Sequence, residues 1–129
     1  MIVLDYRDRR PLYEQITERF QELMYKEILK ENEKLPSVRS LAMELSINPN
    51  TIQRAYTELE RQGFIYSVKG RGSFVADSKR LRAERLREWE QEFDRLTEEG
   101  FQLGLSAGNM TGRIHNLEEK REEGGKCHD

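Results

Sequence analysis

The 129-residue chain has one cysteine, three prolines, two histidines and few aromatic residues. A single cysteine, Cys127, permits no intramolecular disulfide framework, so a reducing, cytoplasmic setting is expected. No stretch approaches the roughly 20 apolar residues that a membrane span needs, so no membrane association is expected. Met1-Ile2-Val3-Leu4-Asp5 lacks the basic segment and long apolar run of a secretory signal. His115, Cys127 and His128 are too few and too poorly spaced for a closed zinc site. Glu98-Glu99, Glu118-Glu119 and Glu122-Glu123 stand beside no nucleophile or base and read as solvated helix faces. No catalytic residue, metal or cofactor is therefore expected, and the chain does not read as an enzyme. Hydrophobic residues are 36% of the chain and charged residues another 36%, which favours a compact module joined to exposed charged helices over one large core.

The net charge of −2 argues mildly against a nucleic-acid partner, but the charge is unevenly placed. Residues 1–76 hold 12 Lys+Arg against 11 Asp+Glu, and residues 77–129 hold 10 against 13. Within residues 35–76 the balance is 5 basic against 3 acidic. The field at a binding face follows this local placement, whereas the total bears on solubility and non-specific association.

Ile2-Val3-Leu4 followed by Tyr6 suggests a strand edge or an arm. From Pro11, apolar residues recur at helical steps through Leu12, Ile16, Phe20, Leu23, Met24 and Ile28, which predicts a helix over 11–29. Residues 30–35 read as a polar connection. Ser37 then caps a short helix over 37–45, with Leu41, Ala42 and Leu45 as its apolar stripe. Ser46-Ile47-Asn48 is a turn, Asn48 caps a further helix, Pro49 occupies its first position and Gly63 ends it. Next, Phe64 to Val68 and Ser73 to Val75 are β-branched and aromatic around the turn Lys69-Gly70-Arg71-Gly72, which predicts a hairpin.

This order is a winged helix-turn-helix: mainly α, with one small β-hairpin. The helix from Asn48 must bury Ile52, Ala55, Tyr56 and Leu59 and offers Asn50, Gln53, Arg54, Thr57 and Arg61 on the other side. Asn and Gln can each bond two adenine edge atoms, and Arg two of guanine. The caps at Ser37 and Asn48 leave free backbone N–H groups suited to phosphate. Arg39 fits a phosphate clamp or a guanine contact. Lys69 and Arg71 on their glycine hinge suit a minor groove. Tyr56 lies on the buried face, with its hydroxyl within reach of a phosphate.

Leu35-Pro36-Ser37-Val38-Arg39-Ser40-Leu41-Ala42, Asn48 to Tyr56, Gly63-Phe64-Ile65 and Gly70-Arg71-Gly72-Ser73-Phe74-Val75 resemble the GntR-type winged helix, and Pro11 to Ile16 resembles its start. The resemblance covers residues 9–77. It implies a DNA-binding transcriptional regulator whose contacts fall at Arg39, Asn50, Thr51, Gln53 and Gly70-Arg71-Gly72. The family's usual glycine before Leu-Pro-Ser is replaced by Glu31-Asn32, and asparagine tolerates a left-handed turn. The expected DNA-binding set is thus Ser37, Arg39, Asn48, Asn50, Thr51, Gln53, Arg54, Tyr56, Lys69, Gly70, Arg71 and Gly72.

Only 53 residues follow Ala76, too few for a pyridoxal-phosphate body. They resemble the short tail of the YtrA-type branch, whose members are dimeric and often sit with transporter genes. Leu86, Trp89, Phe93, Leu96, Gly100 and Leu103 form a heptad seam, Gly104 or, earlier, Gly100 ends that helix, and a second helix after Ser106 carries Met110, Ile114 and Leu117. A two-helix dimerisation module over 78–123 is expected, with an unstructured tail over 124–129. Its interface would use Leu86, Trp89, Phe93, Leu96, Leu103, Met110, Ile114 and Leu117. The glycines at 100, 104, 108 and 112 fit either close packing or helix breakage. The expected partners are double-stranded operator DNA, read as an inverted repeat, and a second copy of the chain. The regulated genes would be its own operon and associated transporter genes. No effector is identifiable. The competing reading is a protein-interaction module without specific DNA recognition.

Overall fold

The computed structural model describes residues 2–126, so Cys127 and His128 lie outside the described residues. The chain forms two compact units, 1–83 and 84–129.

The first unit is built on α1 (Leu12–Tyr25), α2 (Val38–Leu45) and α3 (Pro49–Gln62), followed by β1 (Ile65–Val68) and β2 (Gly72–Val75). α1 packs across α3, and α2 packs on α3. Their apolar stripes meet at Ile16, Phe20, Leu41, Ile52 and Leu59, all fully buried, with the Phe20 and Tyr56 rings edge to face at 5.7 Å. Complete burial of such side chains contributes roughly 1.5–3 kcal/mol each. The N-terminal segment is an arm on this core. Ile2 is buried, and Gln15 latches the arm by accepting from Asp5 N–H at 3.1 Å while donating to Arg10 C=O at 3.2 Å.

α1 ends four residues earlier than its apolar periodicity predicts. Glu27 takes φ 58°, the N–H groups of Ile28 and Leu29 both return to Leu23 C=O, and the chain turns. Leu29 is buried by that turn while Ile28 is left 59% exposed. At the other end, Pro11 precedes the first helical residue. The remaining punctuation follows local chemistry. Ser37 Oγ accepts from Ser40 N–H, Asn48 Oδ1 accepts from Asn50 N–H, Pro49 opens α3, and Gly63 closes it at φ 89°.

β1 and β2 are antiparallel, pairing Ile65 with Val75, Tyr66 with Phe74, Ser67 with Ser73 and Val68 with Gly72. The three-residue loop Lys69-Gly70-Arg71 closes with Arg71 N–H on Val68 C=O at 2.9 Å, and Gly70 supplies φ 79°. Residues 32–35, expected as a mere connection, form a further edge of this sheet. Leu35 N–H donates to Ser73 C=O, Val75 N–H to Glu33 C=O and Asn32 N–H to Val75 C=O, while Lys34 stands opposite Phe74. Asn32 enters this edge at φ 69°, the left-handed conformation that an asparagine in place of the missing glycine can adopt.

α4 (Lys79–Gln102) begins in the first unit and continues into the second, which it forms with α5 (Ala107–Lys126). Within that second unit the four-residue glycine spacing has mixed causes. Gly100 is buried, and a Cβ there would stand 2.5 Å from Met110 Cε, so it permits close helix packing. Gly104 ends the turn after α4 at φ 93°, with Leu105 N–H on Gly100 C=O. Gly108 and Gly112 face open space or only a serine hydroxyl. Ser106 and Asn109 cap α5 reciprocally, Ser106 Oγ accepting from Asn109 N–H and Asn109 Oδ1 from Ser106 N–H. α5 runs on to Lys126, into the stretch expected as a tail.

Candidate nucleic-acid interface

α3 buries Ile52, Ala55, Tyr56 and Leu59, the four residues its periodicity selects. That burial orients the rest. Asn50, Gln53 and Arg54 are exposed, and Thr51 is half-buried. The Gln53 amide donates to Thr57 Oγ1 at 3.3 Å, a weak bond that a better acceptor can replace. The wing comes alongside. An open groove of about 360 Å³ is lined by Gln53 and Glu60 of α3, Val38 of α2 and residues 67–73 of the hairpin. Sequence spacing alone had not brought Gln53 and the Lys69-Gly70-Arg71-Gly72 turn onto one surface.

The expected residues fall into distinct positions. Ser37 and Asn48 are occupied as helix caps, so what they offer a phosphate is the ordered helix start they create. Arg39, Lys69 and Arg71 are exposed, with no ion pair found for them among the described residues. Arg54 is displaced toward α1, its guanidinium 3.8 Å from the centre of the Tyr13 ring. Arg61 pairs with Glu58, which also accepts from Gln62 at 2.7 Å. The Arg61 guanidinium and then the Gln62 amide hold the Glu58 carboxyl down to about 2, so this end of α3 is internally neutralised.

Tyr56 corrects an expectation. It is 4% exposed, and its hydroxyl donates to Pro36 C=O at 2.7 Å. Burial pushes the phenol well above its usual range. Its part is to tie the Leu-Pro-Ser loop to α3, because the ring that completes the core carries its hydroxyl to the loop and not outward.

One residue escaped the sequence reading. Lys34 lies on the wing's extra edge, its side chain passing close over Gly72. No sequence signal marked it, since the edge exists only through pairing with β2.

The described residues contain no helix long and apolar enough to cross a membrane. Among them, no cluster of three or more His, Cys, Asp or Glu residues is placed to hold a metal ion.

The family model for bacterial regulatory proteins of the gntR family matches residues 12–75, the span from α1 to the end of the wing. The HTH-type transcriptional regulator YhcF of Bacillus subtilis is 38% identical over 120 residues, covering 88% of this chain and 95% of that protein. The chain belongs to the GntR family. It is accordingly a DNA-binding transcriptional regulator and not an enzyme. The HTH-type transcriptional repressor YtrA of the same organism is 47% identical over 78 residues, 60% of each chain. A GntR family transcriptional regulator from Listeria monocytogenes superposes with a TM-score of 0.68 at 34% identity, covering 88% of this chain and 98% of that one. This GntR-family chain is thus YtrA-like in sequence, and its helix-turn-helix is followed by a hairpin wing and two helices.

Proposed function

We propose that the protein acts as a homodimer that reads an inverted-repeat operator controlling its own operon, with transporter genes among those regulated. The observation that carries this reading is the shared surface of α3 and the wing. Asn50, Thr51 and Gln53 stand in the first turns of α3, where a helix laid in the major groove meets base edges. Arg39 grips from α2, and Lys69 and Arg71 enter the adjacent minor groove on a glycine turn.

The dimer rests on α4. Leu86, Trp89, Phe93 and Leu96 are 40–53% exposed, and the Trp89 and Phe93 rings stack at 5.0 Å in an otherwise charged helix. Ile114 and Leu117 of α5 are similarly open. An exposed apolar row of this kind calls for a partner, and two-fold pairing of identical chains is the commonest one. Leu103 lies beyond the end of α4 at 76% exposure, and Met110 packs toward Gly100, so both sit at the margin of such an interface. Two α3 helices presented about one DNA turn apart would read both halves of an inverted repeat.

DNA from upstream of the gene should shift with the full chain, and footprinting should protect two half-sites separated by about one helical turn. Arg39→Ala should weaken specific binding by roughly 1–3 kcal/mol. Trp89→Ala should yield monomers in sedimentation and lose the paired footprint. Equal affinity for every sequence would defeat the operator reading. Partner binding indifferent to salt, without a DNA shift, would favour the protein-interaction module that the near-neutral charge of residues 1–76 suggests.

A further inference from the structure

We infer that Lys34 is a DNA-backbone contact that grips the phosphate ridge on the outer flank of the wing. This rests on the operator-binding reading and extends it to an element outside the helix-turn-helix and hairpin.

The argument begins with the register. Lys34 stands opposite Phe74 across an antiparallel bridge, and directly opposed residues project to the same side of a sheet. Phe74 pairs with Tyr66, and Gly72 is two residues before it, so Lys34, Tyr66, Phe74 and Gly72 share one face. Ser67 and Ser73 belong to the opposite face together with Ile65 and Val75, whose burial turns that face to the core on which α3 packs. Lys34 is therefore on the side of the wing turned away from α3. The side chain runs along the sheet toward the wing tip, since a Cβ on Gly72 would lie 3.2 Å from Lys34 Cε and 3.9 Å from Nζ. Glycine at 72, at φ 114°, both makes the turn and leaves room for that passage. Lys34 is an exposed residue, and no ion pair is found for it among the described residues, although Glu31 and Glu33 precede it in the chain.

A minor groove is only about 6 Å wide and is walled by two phosphate backbones. When Lys69 and Arg71 enter it, one wall lies on the α3 side of the wing and the other on the outer side. Lys34 is the cation that this outer wall would meet. A point charge on a flexible stem contacts phosphate without reading bases, so its effect should be independent of sequence.

The test measures binding of the full chain to the upstream DNA fragment, and to a scrambled fragment of equal length, from 50 to 200 mM salt. Loss of one phosphate contact lowers the slope of log affinity against log salt by about 0.9. The ratio of wild-type to Lys34→Gln affinity should then shrink about 3.5-fold over that fourfold salt range. The loss should be equal on both fragments, and Lys34→Arg should retain the wild-type slope. An unchanged slope in Lys34→Gln, or a loss confined to the upstream fragment, would overturn the assignment while operator binding by the wild type still stood. Failure of the wild type to bind either fragment would overturn both readings. Matching circular dichroism and melting of the variants would exclude a folding defect, since Lys34 is a surface residue.

Discussion

Tyr56→Phe separates the two parts of this tyrosine, the ring in the core and the hydroxyl on Pro36 C=O. The ring contacts remain, including the edge-to-face packing on Phe20 at 5.7 Å. What is lost is one hydrogen bond of 2.7 Å from a side chain 4% exposed. A buried carbonyl stripped of its donor costs about 1–3 kcal/mol. Pro36 is itself only half-buried, so water can partly replace the phenol and the lower half of that range, about 1–2 kcal/mol, applies. In a unit of this size each kcal/mol moves the melting midpoint by roughly 4–8 °C. The pH dependence gives a second, independent reading. Burial raises the folded-state pKa of Tyr56 above its unfolded value near 10, so folding favours the protonated phenol. Its contribution is complete below about pH 10 and declines above it, by about 1.4 kcal/mol per pH unit while the unfolded chain alone is ionised. Urea titrations of wild type and Tyr56→Phe at pH 7, 9, 10 and 11 should therefore show a constant gap up to pH 9 that closes above pH 10. Equal stability at pH 7, or a gap that widens with alkali, would refute the assignment of this hydroxyl to the Pro36 carbonyl.

Gly63→Ala should destabilise the first unit by about 1–2 kcal/mol in urea, because φ 89° is unfavourable for any side chain. Leu81 Cδ1 at 3.8 Å leaves space for the new carbon, so Gly63→Asn should recover part of the loss. Gly100→Ala places a carbon 2.5 Å from Met110 Cε, and adding Met110→Ala should partly relieve it, a coupling that a double-mutant melting cycle reads directly. Nuclear magnetic resonance titration should find the Glu58 carboxyl at about 2, returning toward 4.5 in Arg61→Ala. The depressed value means that this contribution is present above pH 4.5 and is lost as pH falls toward 2.

The elements most legible in advance were those set by chemistry within a few residues. Ser37, Asn48-Pro49 and Gly63 each act on their own backbone or the next turn, so the bounds of α2 and α3 follow from them. The end of α1 departs from its apolar periodicity, since Ile28 continues the helical spacing beyond Tyr25. The chain nonetheless turns through Glu27, and Leu29 is the residue that reaches the core. The edge at residues 32–35 was invisible for a related reason. Its residues carry no alternating pattern, and their hydrogen bonds go to β2, some 40 positions further on. The spacing along α3 places the Tyr56 ring on the buried face, but the destination of its hydroxyl depends on where the Pro36 loop passes.

Residue chemistry by itself determined that this protein has a helix-turn-helix with a glycine-tipped hairpin, that α3 keeps Asn50 and Gln53 at the surface, and that Leu86, Trp89, Phe93 and Leu96 recur at heptad spacing along one exposed row. Periodicity and capping act over one or two turns, and such signals are written along the chain. The tertiary structure decided which surfaces come together: Gln53 against the wing, Arg54 over Tyr13, and Lys34 across Gly72. Each of these joins residues separated by about 15 to 40 positions, and their approach is set by how the core around Phe20, Ile52 and Leu59 packs, a cooperative property of many side chains that no local pattern encodes.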